Sequence, residues 1–288
     1  MCGLFGFQAA HGKIPGAAVA VAVLACHMDD RGGDSYGYMA DGVVHRGLGL
    51  MSAGDVPAAR LGAVKTLMAH TRNATTGAVS VENAHPLSIG RIVGAHNGIV
   101  WNHADLNRTL GRDCAVDSMH IFQSLSESRP LSEIQAYGAI TFVNARRPHR
   151  LYLGRFNHGQ LSVARLFNGP KSKARVAGIM WASTRNALVA ALSLADLRYD
   201  MVEITNGALY RVQGGEIYPH GKVTISAAPV KKVTATIPKH AAMLPGLAAL
   251  GARAFRAHFD PDSPPLAALG PGEPVFHQGR WVGNWPDD

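Results

Sequence analysis

The sequence predicts an α+β domain in which antiparallel strands outnumber helices. Apolar runs bounded by turn residues recur in pairs joined by short loops, a pattern typical of hairpins. The helical stretches fall in blocks between these pairs and do not alternate with single strands, which argues against a parallel sheet. The chain has 288 residues, 47% of them hydrophobic, enough for one large core and an appendage.

The N-terminal half predicts a buried strand, a helix and a hairpin in turn. Residues 2–8 read as the strand, and the Ala/Val-rich residues 16–28 read as a helix that is apolar on most faces. Asp41-Gly42 lies between two β-rich runs and is a dipeptide favoured by type I′ turns. Further strands are expected at residues 64–70 and 90–96, and short helices at 102–110 and 117–128.

The next hundred residues predict more antiparallel pairs around one helix. We expect Ser183 to cap a helix that runs to about Leu194, because serine is a preferred N-cap residue. Residues 204–219 form a hairpin pattern around Gly214-Gly215. A further hairpin is expected from residues 139–145 and 150–156, and strands near 161–167 and 176–182.

Composition changes after about residue 235, where prolines become frequent. We therefore expect a domain over residues 1–235 and a Pro-rich extension over 236–288 that contains a short amphipathic helix at 246–259. Two interpretations of this extension stay open: it wraps onto its own domain, or it docks a partner.

The net charge of +8 is unevenly distributed. Residues 1–117 contain nine basic and nine acidic side chains, so residues 118–288 carry the whole excess. No nucleic-acid motif accompanies it, and we interpret it as a solvated basic face. Three cysteines without a CxxC pair and histidines without metal-site spacing predict neither a disulfide framework nor a metal or cofactor. We expect a cytoplasmic protein without a membrane span.

Five short clusters in a fixed order carry the chemistry. Each alone has an ordinary structural explanation, such as an ion pair, a turn or a helix cap; their joint occurrence indicates function. They are MCG at 1–3, RGGDSYG at 31–37, HTRNATTG at 70–77, NAHP at 83–86 with AHNGIVWN at 95–102, and VDS at 116–118.

Together these clusters contain what a cysteine-dependent amide hydrolysis needs. Removal of Met1 would leave Cys2 with a free α-amine, a base of pKa about 7.7–8.0 on the same residue as the thiol. The Asn97 side chain and the Gly98 N–H would hold the oxyanion. Arg72 can bind a carboxylate bidentately, and Asp117 can pair with an ammonium group.

The joint pattern resembles the class II glutamine amidotransferases, the N-terminal-nucleophile glutaminase domains of glucosamine-6-phosphate synthase and amidophosphoribosyltransferase. The resemblance extends over about residues 2–230, including ASTRNAL at 182–188. It implies a four-layer αββα sandwich of the Ntn-hydrolase type, with two antiparallel sheets between helical layers. It also implies that Cys2 is the nucleophile, that Asn97 and Gly98 form the oxyanion hole, and that Arg72 and Asp117 bind glutamine.

By the same matching, Thr75 and His85 lie near the bound amino acid, and Arg31 braces the Cys2 segment. Two positions depart from the family pattern: Asn73 stands where the family usually has a large aromatic residue, and Thr76 where it often has histidine. Because an aromatic residue there covers the bound glutamine, Asn73 suggests a looser lid or a different acyl substrate.

Three hypotheses of function follow. The leading one is a free-standing glutaminase that hydrolyses L-glutamine through a Cys2 thioester and gives ammonia to a separately encoded synthetase or transferase. The second is a stand-alone hydrolase of γ-glutamyl amides. The third is a non-catalytic scaffold of the same fold, which full biological function of a Cys2→Ala variant would support.

Overall fold

The computed structural model describes residues 2–52, 58–169 and 174–227, together with a strand pair at Val275–His277 and Arg280–Val282. By its internal contacts the chain divides into residues 1–229 and 230–288. The helix predicted at 246–259 lies outside the described residues. In the described part of the chain, no helix has the length and apolar character needed to cross a membrane.

A seven-stranded sheet forms one half of the first unit. Its first strand β1 (Gly3–Ala9) is buried along its whole length, and it pairs antiparallel with both β4 and β10. The sheet order is β11-β9-β10-β1-β4-β2-β3. The other strands are β2 (Ser35–Ala40), β3 (Val43–Leu48), β4 (Thr66–Arg72), β9 (Ser162–Asn168), β10 (Arg175–Ala182) and β11 (Arg198–Val202).

A six-stranded antiparallel sheet faces it, in the order β13-β12-β8-β7-β6-β5. The inner faces of the two sheets share one apolar cluster that includes Leu4, Met68, Leu153 and Trp181. Apolar burial between the sheets holds them together. The strands are β5 (Leu87–Ile89), β6 (Ile92–Val100), β7 (Ala136–Asn144), β8 (Arg147–Phe156), β12 (Ala208–Gln213) and β13 (Glu216–Lys222).

Helices cover the outer faces of both sheets. α1 (Ala17–Asp29) and α5 (Arg185–Leu194) pack on the seven-stranded sheet, with α2 (Ala58–Leu61) beside α1. α4 (Met119–Glu127) packs on the six-stranded sheet, and α3 (His103–Leu110) adds Leu106 to the same apolar cluster. A 3₁₀ turn spans Leu131–Glu133. The predicted α+β sandwich of two antiparallel sheets with helices outside is confirmed.

The hairpin turn at Asp41-Gly42 is also confirmed, since β2 and β3 pair across it and both residues have positive φ, 48° and 93°. The prediction that Ser183 caps α5 is wrong. The N-cap is Thr184, whose hydroxyl accepts the N–H of Ala187. Ser183 instead ends the buried strand segment, where its hydroxyl contacts Leu4 and Asn97.

Candidate active site

The Cys2 thiol lies at the start of β1 against the backbone of Asn73. Its Sγ is 3.5 Å from the Asn73 carbonyl oxygen, to which it donates, and it accepts the Asn73 N–H at 3.4 Å. Burial raises the pKa of the thiol, while the Asn73 N–H and the nearby Arg72 charge oppose that shift. The thiol is therefore protonated at neutral pH, and a nucleophilic role needs a base.

Arg31 contacts the backbone of this segment. Its Nε donates to the Cys2 carbonyl at 2.9 Å, and its Nη2 donates to Gln160 Oε1 at 3.0 Å. The guanidinium thus joins the start of β1 to the loop between β8 and β9. It lies behind the nucleophile and does not line the cleft described below.

Strand β6 contributes His96 and Gly98 to the cleft that Cys2 also lines. β5 pairs only with Ile92–Gly94, so residues 95–100 of β6 have β7 on one side and the cleft on the other. The His96 carbonyl accepts the Nε2–H of His70, and the Val100 N–H donates to Asp117 Oδ2 at 2.8 Å. Because alternate residues of a strand direct their backbone groups to the same side, the Gly98 N–H points into the cleft.

Close packing requires glycine at position 98. A Cβ there would overlap the Tyr137 carbonyl oxygen and would lie 2.5 Å from His96 Nε2. Its partner on β7, Gly138, has φ of 146° and is equally confined. The sequence predicts glycine here because backbone must approach the substrate closely; the close packing of β7 against Gly98 is a second reason.

The Asn97 side chain is buried between the two sheets. Its Nδ2 donates one hydrogen to Ser183 Oγ at 2.8 Å. The side chain itself does not line the cleft, although it neighbours Gly98. Asn97 is one of the two predicted oxyanion donors, and Ser183 holds one of its two Nδ2 hydrogens.

Arg72 and Asp117 lie on opposite elements that line the same cleft. Arg72 ends β4 and is 3% exposed; Nη2 donates to the Thr76 carbonyl at 2.6 Å and Nη1 to the Ala78 carbonyl at 3.1 Å. The guanidinium therefore also shapes the 73–86 loop. Asp117 precedes α4 and is 4% exposed, with Oδ2 on the Val100 N–H.

Three buried histidines lie at or next to the cleft. His70 and His85 have ring centroids 4.4 Å apart, and burial is the main cause that lowers the pKa of His70 to about 3 and that of His85 well below its usual range. His96 bonds Ser118 Oγ at 2.9 Å and the Tyr137 carbonyl at 3.2 Å, and burial lowers its pKa as well. All three rings are neutral at physiological pH.

The cleft is small and partly open to solvent, and eleven residues line it. Six of the eight predicted site residues line it, namely Cys2, Arg72, Thr75, His85, Gly98 and Asp117; Arg31 bonds the Cys2 carbonyl, and Asn97 precedes Gly98 on β6. Asn73 and Thr76, which the sequence analysis noted as departures from the family pattern, also line it, and so do three residues to which it gave no role: His96, Val116 and Ser118. His96 and Ser118 are adjacent to predicted residues in the sequence, which is the signal that could have found them.

No metal site is evident among the described residues, where no group of three His, Cys, Asp or Glu side chains is arranged to hold an ion. What the cleft offers is a thiol, a backbone N–H beside it, and one cation and one anion at its walls. This set can bind a zwitterionic amino acid and expose its side-chain carbonyl to a sulfur nucleophile.

Comparison with known proteins places the fold. No family model matches the chain. A glutamine phosphoribosylpyrophosphate amidotransferase from B. subtilis superposes with a TM-score of 0.52 and 18% identity, and a structure described as the allosteric regulatory enzyme of purine biosynthesis superposes with 0.52 and 19%. Each match covers 76% of this chain and 49% of the other, so the chain spans about half the length of these proteins.

One curated relative shares a short stretch. The glutamine–fructose-6-phosphate aminotransferase [isomerizing] of Caulobacter vibrioides is 51% identical over 45 residues, which is 16% of this chain and 7% of that protein. The two superpositions show the shared architecture, and the motifs predicted from the sequence lie around its cleft. The chain therefore has the fold that these amidotransferase structures share, and residues predicted from its own motifs line the cleft.

Proposed function

We propose that the chain is an enzyme that hydrolyses the side-chain amide of L-glutamine through a thioester on Cys2, and that the ammonia passes to a separately encoded acceptor enzyme. One observation carries the proposal: the Cys2 thiol, the inward-pointing Gly98 N–H, and the Arg72 and Asp117 charges line a single cleft. These groups come from four separate segments of the chain, so their convergence is a product of the fold.

The reaction begins when the α-amine of processed Cys2 takes the thiol proton. The thiolate attacks the amide carbon, and the negative charge that develops on the oxygen is held by the Gly98 N–H and the Asn97 amide. The C–N bond then breaks, the nitrogen takes the proton from the Cys2 ammonium, and ammonia leaves. Water attacks the thioester with the α-amine as base, which releases glutamate and the thiol.

The charged side chains that line the cleft can bind the amino-acid end of the substrate. The Arg72 guanidinium can pair with the substrate carboxylate while it keeps its bonds to the 73–86 loop, and Asp117 can pair with the ammonium. Thr75 and His85 line the same space. The neutral state of the buried histidines leaves Arg72 and Asp117 as the charged partners in this part of the cleft.

Intact mass before and after incubation with a diazo-ketone analogue of glutamine tests this proposal. We expect loss of Met1 and one adduct, mapped to Cys2 by digestion. The Cys2→Ala variant is the control and should form no adduct. Processed protein that forms no adduct, and that releases no ammonia from glutamine, would contradict the proposal.

A second candidate is favoured by the position of Asn73. It lines the cleft beside Cys2, its side chain is exposed, and it stands where the family usually has an aromatic cover. An open site of this kind could accept a γ-glutamyl amide with a substituent on nitrogen. Higher kcat/KM for γ-glutamyl conjugates than for free glutamine would select this function over the first.

A further inference from the structure

Ser183 links the strand of the nucleophile to the predicted oxyanion hole. It follows β10 directly and is 1% exposed. Its backbone N–H donates to the Leu4 carbonyl at 2.7 Å, so it lies beside β1 two residues from Cys2. Its side chain reaches Asn97 on β6, in the facing sheet and 86 positions away in the sequence.

The Ser183 hydroxyl uses its whole hydrogen-bonding capacity there. It accepts the Leu4 N–H at 2.8 Å and one Asn97 Nδ2 hydrogen at 2.8 Å, and it donates to the Leu4 carbonyl at 3.2 Å. A hydroxyl has one donor and two acceptor positions, so these three bonds satisfy it. Leu4 directs the hydroxyl, and the hydroxyl in turn directs the amide nitrogen of Asn97.

This arrangement has a consequence for Asn97. A carboxamide turns about its last side-chain bond with little preference, and its nitrogen and oxygen are similar in size. With one Nδ2 hydrogen held by Ser183, the direction of the second hydrogen and of Oδ1 is fixed. Without that bond, the amide can turn and present an oxygen where a donor is needed.

We propose that Ser183 is a positioning residue for the reaction, which holds the Asn97 carboxamide in the orientation that donates to the oxyanion. The inference rests on the proposed function of Cys2 and Asn97. It assigns Ser183 to the chemistry through Asn97 alone, so removal of the hydroxyl should act on turnover and leave binding of the amino-acid end intact.

A double-mutant cycle tests this assignment. Ser183→Ala, Asn97→Ala and the double variant are compared by kcat and KM on glutamine and on γ-glutamyl p-nitroanilide. The rate of Cys2 alkylation by iodoacetamide is measured alongside, because that displacement develops no oxyanion. Thr141→Val is the matched control, since the Thr141 hydroxyl is buried and has no hydrogen-bond partner among the described residues.

We expect Ser183→Ala to lower kcat about 10- to 100-fold, within the effect of a lost oxyanion donor, with KM and the alkylation rate unchanged. The double variant should be no slower than Asn97→Ala, because Ser183 acts through Asn97. Ser183→Thr, which keeps the hydroxyl, should recover part of the rate. If Ser183→Ala does not fold, Ser183→Gly replaces it in the cycle.

Three results would each overturn the inference while the proposed function stands. The two losses of kcat could multiply in the double variant, the Ser183→Ala enzyme could keep the wild-type kcat, or its rate of Cys2 alkylation could change. A wild-type protein that turns over neither amide would overturn the proposed function, and the inference with it.

Discussion

Gly98 and Gly138 pair directly across β6 and β7, and a Cβ on Gly138 would lie 2.9 Å from the Gly98 Cα. The same Cβ would lie 2.5 Å from the Asn97 carbonyl oxygen and from His96 Nε2. Gly159 packs closely against Gly138, since a Cβ on Gly159 would overlap the Gly138 carbonyl group. Gly138 thus packs against Gly98, the predicted oxyanion donor, and Gly159 packs against Gly138.

Gly138→Ala should therefore displace the Gly98 N–H. We expect kcat on glutamine to fall about 100-fold, as for loss of one oxyanion donor, with a smaller change in KM. Gly154→Ala is the control, because it is on the neighbouring strand β8 and its Cβ would have 3.1 Å or more to its neighbours. Equal kinetics in the two variants would show that the packing of Gly138 against Gly98 does not position the donor.

Asp117→Asn separates the two roles of this side chain. An asparagine Oδ1 can still accept the Val100 N–H, but the negative charge is lost. We expect KM for glutamine to rise about 10- to 100-fold, the scale of one charge-assisted pair. Glutaramate, which is glutamine without its α-amine, should show no such change in KM relative to wild type. A parallel rise for both substrates would mean that the variant disturbs the cleft itself.

An extension before Cys2 should abolish turnover, because it converts the α-amine into an amide without basicity. We expect a protein with an uncleaved N-terminal tag to lose glutamine hydrolysis, whereas the same tag at the C-terminus leaves it intact. Burial raises the pKa of the thiol, so the thiol cannot supply its own activation. Full activity of the N-terminally extended protein would exclude the α-amine as the base.

Buried His70 should make stability depend on acid pH. Its pKa falls from an ordinary 6.5 to about 3 on folding, so between these values the unfolded chain binds the proton and the folded chain does not. The free energy of unfolding then decreases as the pH falls through this window, with a slope of up to about 1.4 kcal/mol per pH unit.

Urea unfolding at several pH values between 4 and 7 measures this slope. His70→Asn should reduce the slope by up to about 1.4 kcal/mol per pH unit, independently of any change in the free energy of unfolding at neutral pH. His11→Asn removes an exposed histidine and is the control. A slope that stays the same in His70→Asn would show that this ring is not excluded from protonation by the fold.

Much of the fold could be predicted from local pattern. Apolar runs with turn residues located most strands, and Asp41-Gly42 specified its hairpin through the positive φ that both residues adopt. The three-residue strand Leu87–Ile89 was missed because it is too short to show a period. Ser183 was misassigned because Thr184 beside it is an equally good cap, and only the tertiary contact with Leu4 distinguishes them.

The candidate site divides in the same way. The cleft is lined by residues whose chemistry can be recognised in their own motifs, such as Cys2, Arg72 and Asp117. The partnership of Asn97 with Ser183 joins residues 86 positions apart. Neither local motif predicts this hydrogen bond, because the bond depends on how the two facing sheets are aligned.

The short β5 strand leaves part of one edge of β6 without a neighbouring strand among the described residues. A strand edge with free backbone groups is a template on which a strand from another molecule can add, and residues 95–100 of β6 lie beyond the stretch that β5 pairs. Asp117 occupies the Val100 N–H, and His70 occupies the His96 carbonyl. The groups that shape the cleft therefore also interrupt the ladder that an aggregating chain would need.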